Sequence, residues 1–322
     1  MDVLSEVLKA VKLQGALFFN AELSAPWCLI EPRSAAIAPF LSPDAGHVIL
    51  YHYLIEGQAF ARLRDGQREE LNAGDIVVFP HGDDHFLGNG SPEKPVDAIT
   101  TFAKNLGAGL KLARFGGGGA ITRIVCGYMS FERRLSDVFL SGLPKIMKVS
   151  VANEPSGEWL ANSIRFSVGD GNGSSAGSGL VVAKLSEVLF VETLRRYINE
   201  IPPDQTGWLA GARDPVIGRA LALLHADPEH AWTIADLARH VGLSRTRLVE
   251  RFRHFLDDSP MSYLAKWRLK LAAEKLRSTD DSVAQIAAAV GYGSEAALNR
   301  AFKREFVYPP AQFRRKHKGP AL

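Results

Sequence analysis

Asn299 and Arg300 stand side by side in the stretch EAALNRAFKREF, residues 295–306, and both side chains have the chemistry to read bases. A guanidinium suits the two acceptors on the major-groove edge of guanine, and an amide suits adenine. A stretch about fifty residues upstream, RTRLVERFRHFL at 245–256, has the same texture of Arg and Phe. If both are helices with Leu248, Phe252, Leu298 and Phe302 turned to a core, helical spacing fixes their exposed faces. One face presents Arg245, Thr246, Val249, Glu250 and Arg253; the other presents Glu295, Ala296, Asn299 and Arg300. Arg245, Arg247, Arg253, Lys303 and Arg304 suit phosphate contacts, which position a protein on DNA without specifying sequence. Cys28 and Cys126 are the other reactive side chains. They permit a redox switch through thiolate oxidation or a disulfide, or serve as small buried hydrophobes.

The elements that must hold the two basic stretches form an internal repeat. Leu237 falls on Ile286, Ala238 on Ala287, Val241 on Val290 and Gly242 on Gly291; after one extra residue, Leu248 falls on Leu298 and Phe252 on Phe302. Each copy opens on a capping box, Thr233 with Asp236 and Ser282 with Gln285. Gly242 and Gly291 can turn the chain in a left-handed conformation, and Ser244 and Ser294 can cap the second helices. This is helix-turn-helix logic, in which the second helix enters the major groove. Between the copies, Ser259 and Pro260 start a helix whose stripe of Leu269, Ala272, Ala273 and Leu276 holds the units at fixed separation. Two helices so mounted could enter successive major grooves on one face of a duplex.

Charge agrees with a polyanion partner. The segment 230–322 carries 17 Lys and Arg against 9 Asp and Glu, a net of +8, which leaves −5 for the remainder of a chain whose total is +3. A basic C-terminal third behind an acidic body suggests a DNA-binding module fused to something else. The chain is 46% hydrophobic and 23% charged, ordinary for a soluble globular protein of two or three domains. It has no apolar run of membrane-spanning length, and its N-terminus lacks the pattern of a secretory signal. Two cysteines make no disulfide framework, so a reducing, cytoplasmic compartment is expected and no membrane partner.

Residues from about Asp214 to Arg315 resemble the DNA-binding domain of AraC/XylS-type transcription regulators. The stretches that carry the likeness are IADLARHVGLSRTRL, SYLAKWRLKLAAEKLR, VAQIAAAVGYGSEAALNRAFKREF and PPAQFRR. The resemblance implies base contacts from Thr246, Val249 and Glu250 on the first recognition helix. On the second it implies Glu295, Ala296, Asn299 and Arg300. Glu250 departs from the basic or amide side chain common in the family; it either accepts from cytosine or joins a surface salt bridge. Promoter DNA and RNA polymerase are the implied partners.

The other half reads as short strands and tight turns, with AFARLR, the Asp65-Gly66 turn and DIVVFP forming antiparallel hairpins. Gly74, Pro80, Gly82, His85 and Asn89 stand at the spacing of the second cupin motif, and His52 and Glu56 fit a reduced first motif in which Leu50 replaces a histidine. The stretches SAPWCL, HYLIEGQAFARL, VCGYMSF and LPKIM resemble the cupin-type sensor domain of one branch of AraC-like regulators. The resemblance implies that His52, Glu56 and His85 either hold a divalent metal with an open position or line an organic-effector pocket. FGGGGA at 115–120 reads as a mobile turn, and SVGDGNGSSAGSG at 167–179 as a flexible linker. A helix follows with an apolar face of Val181, Leu185, Val188 and Leu189, and the family's use of this region implies a homodimer. The expected fold is α+β: a cupin-like β-barrel with helices over 1–166, a linker and packing helix over 167–213, and an all-α double helix-turn-helix domain over 214–322. The expected function is a non-enzymatic transcription regulator sensing a small-molecule or redox signal. A metal-dependent cupin enzyme fused to a DNA-binding domain is the alternative.

Overall fold

Strand periodicity weakens where both faces of a sheet are covered, and HVILYHYLIE, with its nearly continuous apolar run, is such a strand. A computed structural model describes residues 14–42, 47–90, 94–102, 110–131, 140, 143–152, 155–168, 178–202 and 205–317. The described residues fall into two compact units, 14–202 and 205–317.

The N-terminal unit has eleven strands among the described residues. One sheet has the order β11-β6-β3-β10-β1-β9 and the other β5-β4-β7-β2-β8. The strands of the first are β1 (Gln14–Ser24), β3 (His47–Glu56), β6 (Asp75–Phe79), β9 (Leu112–Gly116), β10 (Ile121–Phe131) and β11 (Met147–Ser150). Those of the second are β2 (Trp27–Glu31), β4 (Gln58–Leu63), β5 (Arg68–Asn72), β7 (His85–Asn89) and β8 (Val96–Asp97). Side chains from both sheets meet in one core, among them Leu54, Phe79 and Ile124 from the first and Trp27, Leu29, Ala61 and Leu87 from the second. The hairpin expected at Asp65-Gly66 is present between β4 and β5, with Gly66 at φ +97°.

Among the described residues, four helices accompany the sheets: α1 (Ser34–Leu41), α2 (Ala98–Phe102), α3 (Pro155–Val168) and α4 (Ser178–Glu200). α4 lies on the outer face of the first sheet, which explains why β3 is apolar on both faces. Tyr51 hydrogen-bonds Ser186 of α4 through their hydroxyls, and a side chain at Gly15 would collide with Met129 and Ser186. The buried stripe of α4 is Val182, Leu185, Leu189, Phe190 and Leu194. Val181 and Val188, expected on that stripe, are instead 56% and 44% exposed. The glycine run is also other than expected. Its amides bond to the β1–β2 turn, Gly117 N to Ser24 O at 2.7 Å and Gly119 N to Ala25 O at 2.8 Å, and a side chain at Gly116 would strike Ser24. This is a fitted turn. Most of the expected linker, 169–177, lies outside the described residues.

The C-terminal unit is helical: α5 (Trp208–Arg213), α6 (Pro215–Ala226), α7 (Ile234–Val241), α8 (Arg245–Leu256), α9 (Pro260–Ser278), α10 (Val283–Ala289), α11 (Glu295–Phe306) and α12 (Pro310–His317). It begins earlier than Asp214, because α5 packs here: Trp208 Nε1 donates to the Tyr263 hydroxyl at 2.8 Å. Asp214 caps α6, accepting from Val216 and Ile217, and forms an ion pair with Arg251 of α8. The internal repeat runs further than the sequence comparison carried it. Pro260 and Pro310 each start a third helix, and Tyr263 and Phe313 meet Phe252 and Phe302 edge-on at 5.7 and 5.2 Å. Both second helices end on a positive-φ residue, Asp257 at +50° and Val307 at +69°.

Candidate nucleic-acid interface

α7 starts where the Thr233 hydroxyl accepts from Asp236 N at 3.1 Å and donates to the Asp236 carboxylate at 2.6 Å. α10 starts on a complete capping box: Gln285 N donates to Ser282 Oγ at 3.2 Å and Ser282 N to Gln285 Oε1 at 2.8 Å. Gly242 and Gly291 have φ of +74° and +80°, a region open to glycine at little steric cost. Ser244 and Ser294 then accept from Arg247 N and Ala297 N, launching α8 and α11. These local bonds satisfy amide donors that a helix start leaves without partners.

The cores behind both helices are closed. Leu248, Phe252, Leu298 and Phe302 are fully buried, so the opposite faces are left to solvent. On α8, Arg245, Thr246, Arg247, Glu250 and Arg253 are exposed and Val249 is half-buried. On α11, Glu295, Ala296, Arg300, Lys303 and Arg304 are exposed and Asn299 is half-buried. Arg245, Thr246, Val249, Glu250 and Arg253 line one open groove of about 630 Å³ with Thr233, Ile234 and Ala235 at the start of α7. Glu250 lies 3.8 Å from Arg247, a solvent-exposed pair of modest energy.

The sensor candidates meet in a different arrangement from the one their spacing suggests. Alternation turns His52, Cys126, His85 and Glu31 to the inner side of the two sheets. His52 pairs in register with Cys126, and Glu31 with His85. His85 Nδ1 lies 3.0 Å from the Asp83 carbonyl, an acceptor, so this nitrogen carries the proton and Nε2 accepts. His52 Nε2 then donates to His85 Nε2 at 2.8 Å, and the Cys126 thiol donates to His52 Nδ1 at 2.8 Å. Burial depresses both imidazoles, that of His85 to about 4 and that of His52 well below its usual range with help from His85. Burial raises the Cys126 thiol well above its usual range, and nearby Glu31 raises it further. The chain is a neutral, fully satisfied wire.

A metal does not fit these residues. Both nitrogens of His52 are engaged, Glu56 is exposed at the end of β3, and the described residues contain no cluster of three His, Cys, Asp or Glu able to hold an ion. Of the three residues named for a metal or an effector pocket, His52 and His85 meet in a hydrogen-bond chain with Cys126, and Glu56 lies outside it. Cys28 faces the other way, against Phe60 and Phe86 on the outer side of the second sheet, and its thiol is raised by burial despite Arg62. No disulfide joins the two cysteines. Glu31 was missed in the sequence. It is 7% exposed, and burial with the Asp97 charge raises its carboxyl to about 7.

Comparison with known proteins agrees with both halves. Residues 2–199 match the family described as Cupin, and 237–316 match a helix-turn-helix domain. A putative AraC-like transcription regulator of Streptomyces lividans is 32% identical over 98% of each chain. The chain belongs to the AraC-like transcription regulators. The HTH-type transcriptional regulator AlkR of Acinetobacter baylyi is similar as well, at 27% identity over 98% of this chain and all of that one. Among solved structures, the DNA-binding domain of AdpA in complex with a target DNA is 27% identical, covers 32% of this chain and 92% of its own, and has a TM-score of 0.31. As an AraC-like regulator, the chain combines a DNA-binding helix-turn-helix domain with a cupin domain. No helix among its described residues is long and apolar enough to cross a membrane.

Proposed function

We infer that this regulator reads promoter DNA with α8 and α11 together, entering successive major grooves. The observation that carries the reading is the matched pair of capped helices, each with a closed apolar back and an open polar front. Thr246, Val249 and Glu250 then face base edges in one groove, and Glu295, Ala296, Asn299 and Arg300 in the other. Arg245, Arg247, Arg253, Lys303 and Arg304 hold phosphates. The N-terminal unit senses a small organic effector, which biases the fraction of molecules competent for DNA and for RNA polymerase. A catalytic role has less support, since the relatives are named as regulators. A homodimer in the cytoplasm is the working form, and the exposed Trp159, Leu180, Val181 and Val188 of α3 and α4 favour it.

The test is a footprint of the purified chain on the intergenic DNA upstream of its own gene, at stated salt, with and without Arg300→Ala. Protection of two segments about one helical turn apart, with the α11 segment lost in the variant, is the expected result. No discrete protection at any salt would remove the reading.

A further inference from the structure

The two helix-turn-helix copies are unequal at their turns. A side chain at Gly242 would meet nothing within 4 Å, so the first turn needs glycine only for its backbone conformation. At Gly291 a Cβ would stand 2.8 Å from the Arg268 guanidinium and 2.8 Å from the Cα of Glu229. Glu229 belongs to the loop between α6 and α7, so the turn of the second copy is pressed against the first. Arg268 comes from α9, the helix shared by both. Its Nε donates to Pro228 O at 2.6 Å and its Nη2 to His230 O at 2.8 Å.

The gripped loop is itself stiff. His230 N donates to Asp227 Oδ1 at 3.1 Å, and Trp232 Nε1 donates to Asp227 O at 2.9 Å. The Trp232 ring meets His240 of α7 edge-on at 5.4 Å. A continuous set of contacts thus runs from α7 through the loop to Arg268, and on to the backbone that connects α10 to α11. Arginine suits the task because its planar fork reaches two carbonyls at once, which an ammonium on a flexible stem does not do.

We propose that Arg268 is a positioning residue for DNA recognition: by clasping the 228–230 loop against the turn at Gly291, it fixes the relative placement of α8 and α11 and therefore the spacing of half-sites this regulator accepts. The proposal rests on the paired-helix reading above. One inserted base pair moves a half-site by about 3.4 Å and turns it by about 34°. A rigid pair of helices rejects that change; a hinged pair follows it, and loses affinity for the matched site because its freedom must be frozen on binding.

The experiment uses the full chain in two arms. In the first, nitroxide labels on His254→Cys and Glu305→Cys, both exposed, report the distance between α8 and α11 without DNA. In the second, affinity is measured on the footprinted duplex and on the same duplex with one base pair inserted between the protected segments. The wild type should give a narrow distance distribution and lose roughly tenfold or more on the insertion. Arg268→Ala should broaden the distribution and shrink the insertion penalty to about threefold or less, with Arg268→Lys following it. An unchanged distribution and an unchanged penalty in Arg268→Ala would overturn the proposal. Arg268→Gln, which keeps one donor and most of the volume, serves if the alanine variant does not fold. Absence of any footprint from the wild type would defeat the DNA reading itself, while the distance arm would still report whether the clasp exists.

Discussion

His52 and His85 share one proton between their Nε2 atoms, 2.8 Å apart, and the Asp83 carbonyl at the far side of His85 dictates its direction. Every donor along the line from Cys126 to Asp83 has one acceptor, so no member needs a charge. That neutrality has a cost in acid. An unfolded histidine takes a proton near pH 6.5, whereas burial holds folded His85 neutral down to about 4 and pushes His52 well below its usual range too. The unfolded state therefore binds more protons over that window, and stability falls as pH drops through 6.5. His85 alone accounts for roughly 3 kcal/mol of loss between pH 7 and 4. Urea midpoints of the wild type and of His85→Asn, followed from pH 7.5 to 4.5, should converge as the pH falls. Parallel curves would show that His85 is not held neutral. His225, buried in the other unit with its imidazole pushed down to about 3, contributes with the same sign and stays common to both proteins.

Glu31 acts in the opposite direction. Its carboxyl is raised to about 7, so the folded state keeps a proton that the unfolded chain gives up near 4.5. Its favourable contribution is full below pH 4.5 and lost as the pH rises through 7. Glu31→Gln should then raise the melting temperature at pH 7.5 and above, by on the order of 2–3 kcal/mol of stability, with the gain vanishing below pH 4.5. A gain independent of pH would mean that the carboxylate is not the cause.

Val307 is a β-branched residue at φ +69°, and it is 72% exposed, so its side chain gives up little burial if removed. Val307→Gly should stabilise the chain by about 1 kcal/mol, the strain relieved outweighing the extra freedom of an unfolded glycine. Thermal melting checks the sign. The footprint should be unchanged, because Val307 lies past the end of α11.

Val181 and Val188 lie seven residues apart on α4, outside its buried stripe, with Leu180 at 67% exposure beside them. If they cover a second copy, the double variant Val181→Glu, Val188→Glu should sediment as a monomer at concentrations where the wild type is a dimer. Its melting temperature should hardly change, since neither side chain belongs to the core of its own unit. A dimer that survives both charges would place the interface elsewhere.

The C-terminal unit was legible because its information is local. Ser244, Ser282, Ser294 and the two glycines act within four residues of themselves, and a sequence records such neighbours directly. The core leucines and phenylalanines of α8 and α11 followed from helical spacing. The N-terminal unit is built from pairings between strands far apart in the chain, and there the reading was coarser. His52 and His85 were singled out as a pair, yet Cys126, which the structure joins to them, comes from a strand seventy-four residues away from His52. Glu56 shares the parity of His52 but sits at the strand end, where the register with β10 shifts and the side chain reaches solvent. The glycine run looked mobile because composition does not reveal that residues 24–26 approach too closely for a side chain at Gly116, Gly117 or Gly119. Arg268 carried no signal, since one of two arginines among three lysines on a helix gains its role only from the loop opposite.

α9 belongs to two structures at once. Its first turns supply Tyr263 and Trp267 to the cluster around Phe252 and His225, and its last turns supply Leu269, Ala272, Ala273 and Leu276 to the core of α10, α11 and α12. The duplicated module is thus not a pair of beads on a string, because the beads overlap along one rod. Neither half can be cut free with its own core complete, and melting the rod at any turn strips support from both. The two halves of the module are therefore obliged to lose their cores together, in a single concerted event.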